Sequence, residues 1–174
     1  LKLTMLDDIL TWARYPWLVT TIQSLQFPNR FLRMDAEKDK VNVQYNAYSY
    51  ERFRILPVIV PPSTAVAQES DTDYAIESVK TRQQYLRMDG EGVTSRLLKG
   101  GGTVNTQTYV GRSEHFRLIN LPAYGANVMV IGSIRFRNVF LRMDGSRITS
   151  RQGSGGGVVN CQYGHRSLER FRIG

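Results

Sequence analysis

Cysteine is nearly absent: the single Cys161 cannot form a disulfide within the chain, and one thiolate does not make a metal site. Histidine is almost as scarce, leaving His115 and His165 as the only near-neutral bases. No pair of carboxylates recurs at an acid/base spacing, and no thiolate or carboxylate cluster accompanies the histidines. These absences exclude the usual catalytic and zinc constellations, so a non-enzymatic protein with no metal and no cofactor is expected. No run approaches the roughly 20 apolar residues of a membrane-spanning helix, and Asp7 and Asp8 interrupt the start where a signal peptide keeps an unbroken apolar core. A soluble protein is expected, and the lone cysteine is compatible with the cytoplasm. The sequence opens at Leu1 and stops at Gly174 directly after an apolar strand pattern, which suggests a processed or excised piece of something longer.

Charge of one sign dominates what is present. The 23 Lys and Arg against 15 Asp and Glu give a formal charge of +8, which favours anionic partners. At 174 residues and 41% hydrophobic content, one packed domain is the expectation.

The most informative feature is an internal repeat. FLRMD at Phe31 to Asp35, YLRMD at Tyr85 to Asp89 and FLRMD at Phe140 to Asp144 make three copies. Each is followed by Val-Asn-x-Gln (Val41 to Gln44, Val104 to Gln107, Val159 to Gln162) and then by Glu-x-Phe-Arg (Glu51 to Arg54, Glu114 to Arg117, Glu169 to Arg172). The Asn lies 11 residues before the closing Phe in all three copies, whereas Met to Asn is 17 residues in the second and third and 8 in the first. Repeat one therefore lacks a nine-residue loop.

Within each copy the pattern alternates with the period of a strand, and turn signals separate the runs. Asp89-Gly90 and Asp144-Gly145 are hairpin-type dipeptides, and Gly100 to Gly102 and Gly153 to Gly157 are loops. Those glycine runs lack the Lys-Ser/Thr of a phosphate loop and lead into a strand. About four short strands in each of three repeats predicts an all-β chain with pseudo-threefold symmetry, a β-trefoil whose closed barrel leaves few edges. Leu32, Leu86, Leu141, Met34, Met88, Met143, Phe53, Phe116 and Phe171 are the expected core. The repeats are expected over about 18–56, 74–119 and 127–174, with a proline-rich excursion over 57–73. Residues 1–17 read as an extension, and Leu3, Leu6, Ile9, Leu10 and Ala13 predict a short N-terminal helix ended by Pro16.

The run "NVFLRMDGSRITS", a glycine loop, "VVNCQ" and "ERFRI" resembles the fascin-like, actin-crosslinking superfamily of β-trefoils, in which a Tyr/Phe-Leu pair precedes an Asp-Gly turn and Glu-x-Phe closes the repeat. The resemblance covers about residues 18–174 and implies the fold. It implies a choice of ligands, because trefoils of this pattern include actin bundlers, carbohydrate binders and heparin-binding growth factors. The Gln-x-Trp signature of ricin-type lectins is absent, since Trp12 and Trp17 both precede the first repeat.

Strand alternation places Arg33, Asp35, Asn42 and Gln44, and their counterparts, on the face opposite the core. Two readings stand: a local network of turn-closing Asp and paired amides, or a shallow sugar pocket of amides, carboxylate and guanidinium beside a tyrosine. Under the second, repeats two and three carry the intact sites, with Asp89, Asn105, Gln107, Asp144, Asn160 and Gln162 as ligand-binding residues. Among the many arginines, Arg135, Arg137, Arg147 and Arg151 are candidates for a polyanion-binding patch. The expected activity is lectin-like glycan binding. The alternative is binding to an acidic protein surface such as actin, or docking into a parent assembly through residues 1–15. Nucleic acid is not the expected partner. Cys161 falls on the inward face of its strand, where Val43 and Thr106 stand in the other copies, so core filling is expected rather than nucleophilic chemistry.

Overall fold

The computed structural model describes residues 18–58 and 72–174. The expected N-terminal helix lies outside them, as does most of the proline-rich excursion. Among the described residues the chain forms thirteen strands: β1 Val19–Thr20, β2 Ile22–Ser24, β3 Arg30–Asp35, β4 Lys40–Tyr45, β5 Phe53–Val58, β6 Asp73–Ser78, β7 Tyr85–Asp89, β8 Thr103–Gln107, β9 Phe116–Asn120, β10 Val128–Ser133, β11 Val139–Asp144, β12 Val158–Tyr163 and β13 Phe171–Ile173. The thirteenth, beyond the twelve expected, arises because the first strand is divided at Thr21. Val19 and Thr20 pair with β5, Ile22 to Ser24 pair with β13, and Thr21 between them exchanges two backbone hydrogen bonds with Gly174.

A ring of antiparallel pairs runs from β1 through β5, β6, β9, β10 and β13 back to β2. This is a six-stranded barrel in which the divided first strand counts once. The remaining strands form three hairpins, β3–β4, β7–β8 and β11–β12, one per repeat. The chain is thus a β-trefoil. Ring closure pairs every barrel strand on both sides, which removes the free edges that invite aggregation. Pro57 and Val58 pair with Tyr74 and Asp73, so the ends of the proline-rich stretch belong to the β5–β6 hairpin.

The expected core is the observed one. Leu32, Leu86, Leu141, Met34, Met88, Met143, Phe53, Phe116 and Phe171 are all fully buried. Strand alternation and register explain this: Leu32 faces Val43 and Met34 faces Val41, with Met88 opposite Val104 and Leu141 opposite Cys161. Burying each such side chain contributes about 1.5–3 kcal/mol.

Each first strand ends in a serine whose hydroxyl accepts the amide of the third residue on: Phe27 from Ser24 at 3.0 Å, Thr81 from Ser78 at 3.1 Å and Phe136 from Ser133 at 2.9 Å. This closes the turn into the hairpin, and Asn29, Gln83 and Asn138 complete it with positive φ.

Candidate functional site

The polar residues of the hairpins form one network three times over. In repeat one Arg33 bridges Asp35 at 3.1 Å, Asn42 Oδ1 at 3.5 Å and Glu51 at 3.8 Å. In repeat two Arg87 bridges Asp89 at 2.9 Å, Asn105 at 3.2 Å and Glu114 at 3.9 Å. In repeat three Arg142 reaches Asp144 at 3.5 Å and Asn160 at 3.3 Å. One carboxylate oxygen of each of Glu51, Glu114 and Glu169 caps a short turn, accepting the amides of Tyr48 and Gly111 at 2.8 Å and of Arg166 at 2.6 Å. This accounts for the recurring Glu-x-Phe: Glu closes the turn while Phe fills the core.

The amides do something the sequence did not announce. Asn42 donates to the Ser154 carbonyl at 2.9 Å, and Gln44 donates to the Gln152 carbonyl while accepting the Gln152 amide at 3.0 Å. Val43 and Gly156 exchange backbone hydrogen bonds of 2.7 and 2.8 Å. The glycine loop of repeat three therefore lies across the hairpin of repeat one. The same geometry recurs one junction along. Asn160 donates to the Lys99 carbonyl at 2.9 Å, Gln162 clamps Leu97 at 2.6 and 3.0 Å, and Cys161 exchanges 2.7 and 2.8 Å bonds with Gly101. Gln44 and Gln162 are 0% and 1% exposed. Asn160 and Gln162 hold the loop of repeat two, which buries Gln162 and leaves Asn160 partly exposed.

At the third junction the covering loop would come from repeat one, which lacks it. Asp39 stands in its place, accepting the Thr106 amide at 2.9 Å, the Thr106 hydroxyl at 2.8 Å and the Asn105 amide at 3.2 Å. Among the described residues Gln107 Oε1 accepts only the following Thr108 amide, and the side chain remains partly exposed. Against the desolvation that raises it, these hydrogen bonds hold the Asp39 carboxyl below its ordinary value. A lowered pKa gives stability that is present above the unfolded value of 3.8 and lost as pH falls below it. The Thr106 amide is therefore expected to lose hydrogen-exchange protection on acidification below 3.8, while the backbone-clamped Cys161 amide keeps its own.

The two aspartates expected to bind ligand both sit at turns. Asp89 accepts the Glu91 amide at 3.1 Å, and that bond, with Arg87, holds its carboxyl low against desolvation. Asp144 accepts the Ser146 amide at 3.1 Å; desolvation works against ionisation there, but Ser146 and Arg142 outweigh it and the carboxyl is low. Asp144 also lines a cavity of about 460 Å³ with Lys99, Arg142, Ser146, Arg147, Gly157 and Val158. Val158 is 48% exposed and gives that cavity an apolar wall.

The four arginines named for a polyanion patch are distributed over three settings. Arg135 and Arg137 line a separate cavity of about 400 Å³ with Phe136 and Tyr163, and Arg147 lines the Asp144 cavity. Arg151 stacks over the Tyr48 ring at 3.8 Å. Cys161 is fully buried and donates to the Asp89 carbonyl at 3.6 Å; burial, aided by the Asp89 charge, pushes its thiol up to about 12. A thiol so far from ionising is core filling.

No family model and no curated protein matches the chain. Solved structures do. A structure of SeviL bound to the asialo-GM1 saccharide is 11% identical, with TM-score 0.57 over 90% of this chain and 95% of that one. A Polyporus squamosus lectin bound to the epitope Neu5Acα2-6Galβ1-4GlcNAc is 15% identical, with TM-score 0.62 over 89% of this chain and 48% of the lectin. The BEL β-trefoil is 15% identical at TM-score 0.58, over 90% of this chain and 91% of that one. A mosquitocidal holotoxin matches with TM-score 0.62 at 13% identity, and the chain spans only 16% of its length. At these identities the likeness is one of fold. The fascin-like resemblance rests on the repeat motif alone.

Proposed function

We propose that this β-trefoil is a non-enzymatic, lectin-like glycan-binding module, and that the Asp144 cavity of repeat three holds the sugar. The observation that carries the reading is the composition of that cavity. Its volume of about 460 Å³ lies in the range of small-ligand sites, and donors and an acceptor line it beside an apolar wall. The Asp144 carboxylate suits a pair of vicinal hydroxyls, Arg142 and Ser146 orient it, and Val158 packs against the apolar face of a pyranose ring. Lys99 and Arg147 add positive charge, in line with the net +8 of the chain. An acidic saccharide suits them better than a neutral one. The glycans carried by the SeviL and Polyporus structures support the ligand class. Of the six residues expected from the sequence, Asp144 is retained as a direct contact. Asn160 supports it through Arg142, and Gln162 supports the loop bearing Lys99. Asp89 heads the same network in repeat two, while Asn105 and Gln107 lie at the junction occupied by Asp39.

A glycan array carrying neutral, sialylated and sulfated sugars, read at physiological and several-fold higher salt, tests this. Saturable binding is expected, weakened at least about tenfold by Asp144→Asn, which keeps the turn acceptor but loses the charge. Thermal stability should fall as well, because Arg142 is buried and loses its carboxylate partner, so binding is read well below the unfolding transition. A silent array, or binding indifferent to both Asp144→Asn and Arg147→Ala, would overturn it. Co-sedimentation with actin alongside a silent array would favour the acidic-filament alternative.

A further inference from the structure

The three repeat junctions carry the same socket, and one of the three is without its loop. Each socket offers a Gln amide, the amide and carbonyl of the preceding strand residue, an Asn amide and a capping Glu. In two of them a glycine loop fills every position. The filled sockets also hold an arginine four residues before the first close-packed glycine: Arg96 reaches Glu169 at 3.3 Å and the Tyr163 carbonyl at 3.3 Å, and Arg151 stacks on Tyr48 with its charge acting on Glu51. The glycine is dictated by the socket. A Cβ at Gly100 would stand 2.6 Å from Asn160 Oδ1 and 2.6 Å from the Cys161 carbonyl, and one at Gly155 would stand 2.6 Å from Asn42 Oδ1 and 2.8 Å from the Val43 carbonyl. Both glycines have positive φ.

In repeat two, Asp39 takes the Asn105 and Thr106 donors and nothing more of the loop's part. Among the described residues, no loop amide meets the Thr106 carbonyl, no backbone is clamped by Gln107, and no loop arginine accompanies Glu114. We infer that this vacant third socket is a docking site for an extended, basic, glycine-bearing peptide segment of a partner protein, of the form Arg-x-x-x-Gly. The two filled sockets supply the template. The capping Glu114 supplies the charge complement for the arginine, as Glu169 does for Arg96. Recognition is by addition of backbone to the β8 edge at Thr106, displacing Asp39, with the amide side chain and the Cβ-excluding floor giving selectivity. Asp39 partly plugs the site. Its counterparts in the other repeats are Gly102 and Gly157, so Asp39→Gly restores the residue found there and vacates the three donors of Asn105 and Thr106.

The test is a titration of the isotope-labelled full chain by NMR with the peptides Arg-Leu-Leu-Lys-Gly-Gly-Gly and Arg-Gln-Gly-Ser-Gly-Gly-Gly, the chain's own residues 96–102 and 151–157. Saturable shifts are expected at the Gln107 side-chain amide and at the Thr106 and Thr108 backbone amides. Changing the first close-packed glycine of the peptide to alanine should abolish them, and Asp39→Gly should tighten binding by about tenfold. No saturable shift in either wild type or Asp39→Gly would overturn the inference. So would binding that tolerates the alanine or survives Gln107→Ala. An oligosaccharide that shifts Gln107 when neither peptide does would reassign the socket to sugar. The glycan reading stands or falls separately, on Asp144 and Arg147.

Discussion

Arg33→Ala is expected to lower stability by about 3–5 kcal/mol, the cost of leaving a buried carboxylate without its charge partner. Arg87→Ala, the same change in the next repeat, is expected to cost less than half as much. The two arginines make equivalent bonds and differ in burial: the side chain of Arg33 is 4% exposed and that of Arg87 is 25% exposed. The cause is the loop of repeat three, which seals the first hairpin, while among the described residues Asp39 takes the place of such a loop on the second. Removing Arg33 leaves buried Asp35 without its guanidinium partner and leaves Glu51, whose Oε1 has no hydrogen bond among the described residues, with the Tyr48 amide and the Arg151 charge against its burial, and it also removes the guanidinium stacked on Tyr50 at 4.7 Å. Desolvation already raises the Glu51 carboxyl above its ordinary value, and Arg33 is among the charges that oppose this. Without Arg33 the rise is larger. A raised acid favours the protonated folded state, so its penalty grows as pH climbs through and above 4.5 and fades as pH falls to that value. The gap between wild type and Arg33→Ala in urea unfolding should therefore narrow from neutral pH down to 4.5, and a gap that widened would contradict the assignment.

The fold was legible because its signals are local and tripled. Alternation within FLRMD and Val-Asn-x-Gln fixes which side chains enter the core, and a strand period permits only one answer once Leu32 and Met34 are placed inward. The serine turn was equally available, since Ser24, Ser78 and Ser133 each stand seven residues before the aromatic that opens the repeat motif. The division of the first strand at Thr21 was not, because it depends on which neighbours the two halves meet. The polar face was read correctly as a face and incompletely as a surface. Nothing within one repeat shows that the loop of another will lie on it, because Gln44 and Gln152 are far apart in sequence and the glycine runs look like ordinary connections. The one readable sign was the nine-residue deficit of repeat one, whose consequence falls on repeat two. Asp39 standing where the other copies have glycine marks the same place. The Asp144 cavity had no such sign: Lys99 and Arg147 come from different repeats and meet only after packing.

Gly102→Ala is expected to destabilise the protein by about 2–5 kcal/mol, and Gly92→Ala by only about 1–2 kcal/mol. Both glycines have positive φ, +66° and +79°, so both substitutions incur the left-handed penalty. They differ in what a Cβ would meet. At Gly92 there is nothing within 4 Å, whereas at Gly102 the Cβ would stand 2.5 Å from the Asp89 carbonyl and 3.0 Å from the Cys161 sulfur. Neither neighbour can yield cheaply. The Asp89 carbonyl belongs to β7, and Cys161 is locked between the Leu141 side of its hairpin and the Gly101 bridge. Relief can come only by lifting the loop, which breaks the Gly101–Cys161 hydrogen bonds and loosens the Gln162 clamp on Leu97. Hydrogen exchange at the Gly101 and Cys161 amides should therefore accelerate in Gly102→Ala and stay near wild type in Gly92→Ala, alongside the difference in thermal midpoint. Equal losses in the two variants would mean that the backbone conformation alone matters and that the loop is not held against the neighbouring repeat. A selective loss at Gly102 ties the glycine run, the Asn-x-Gln amides and the Asp-Gly turn into one device. That device is what repeat one lacks and repeat two is left without.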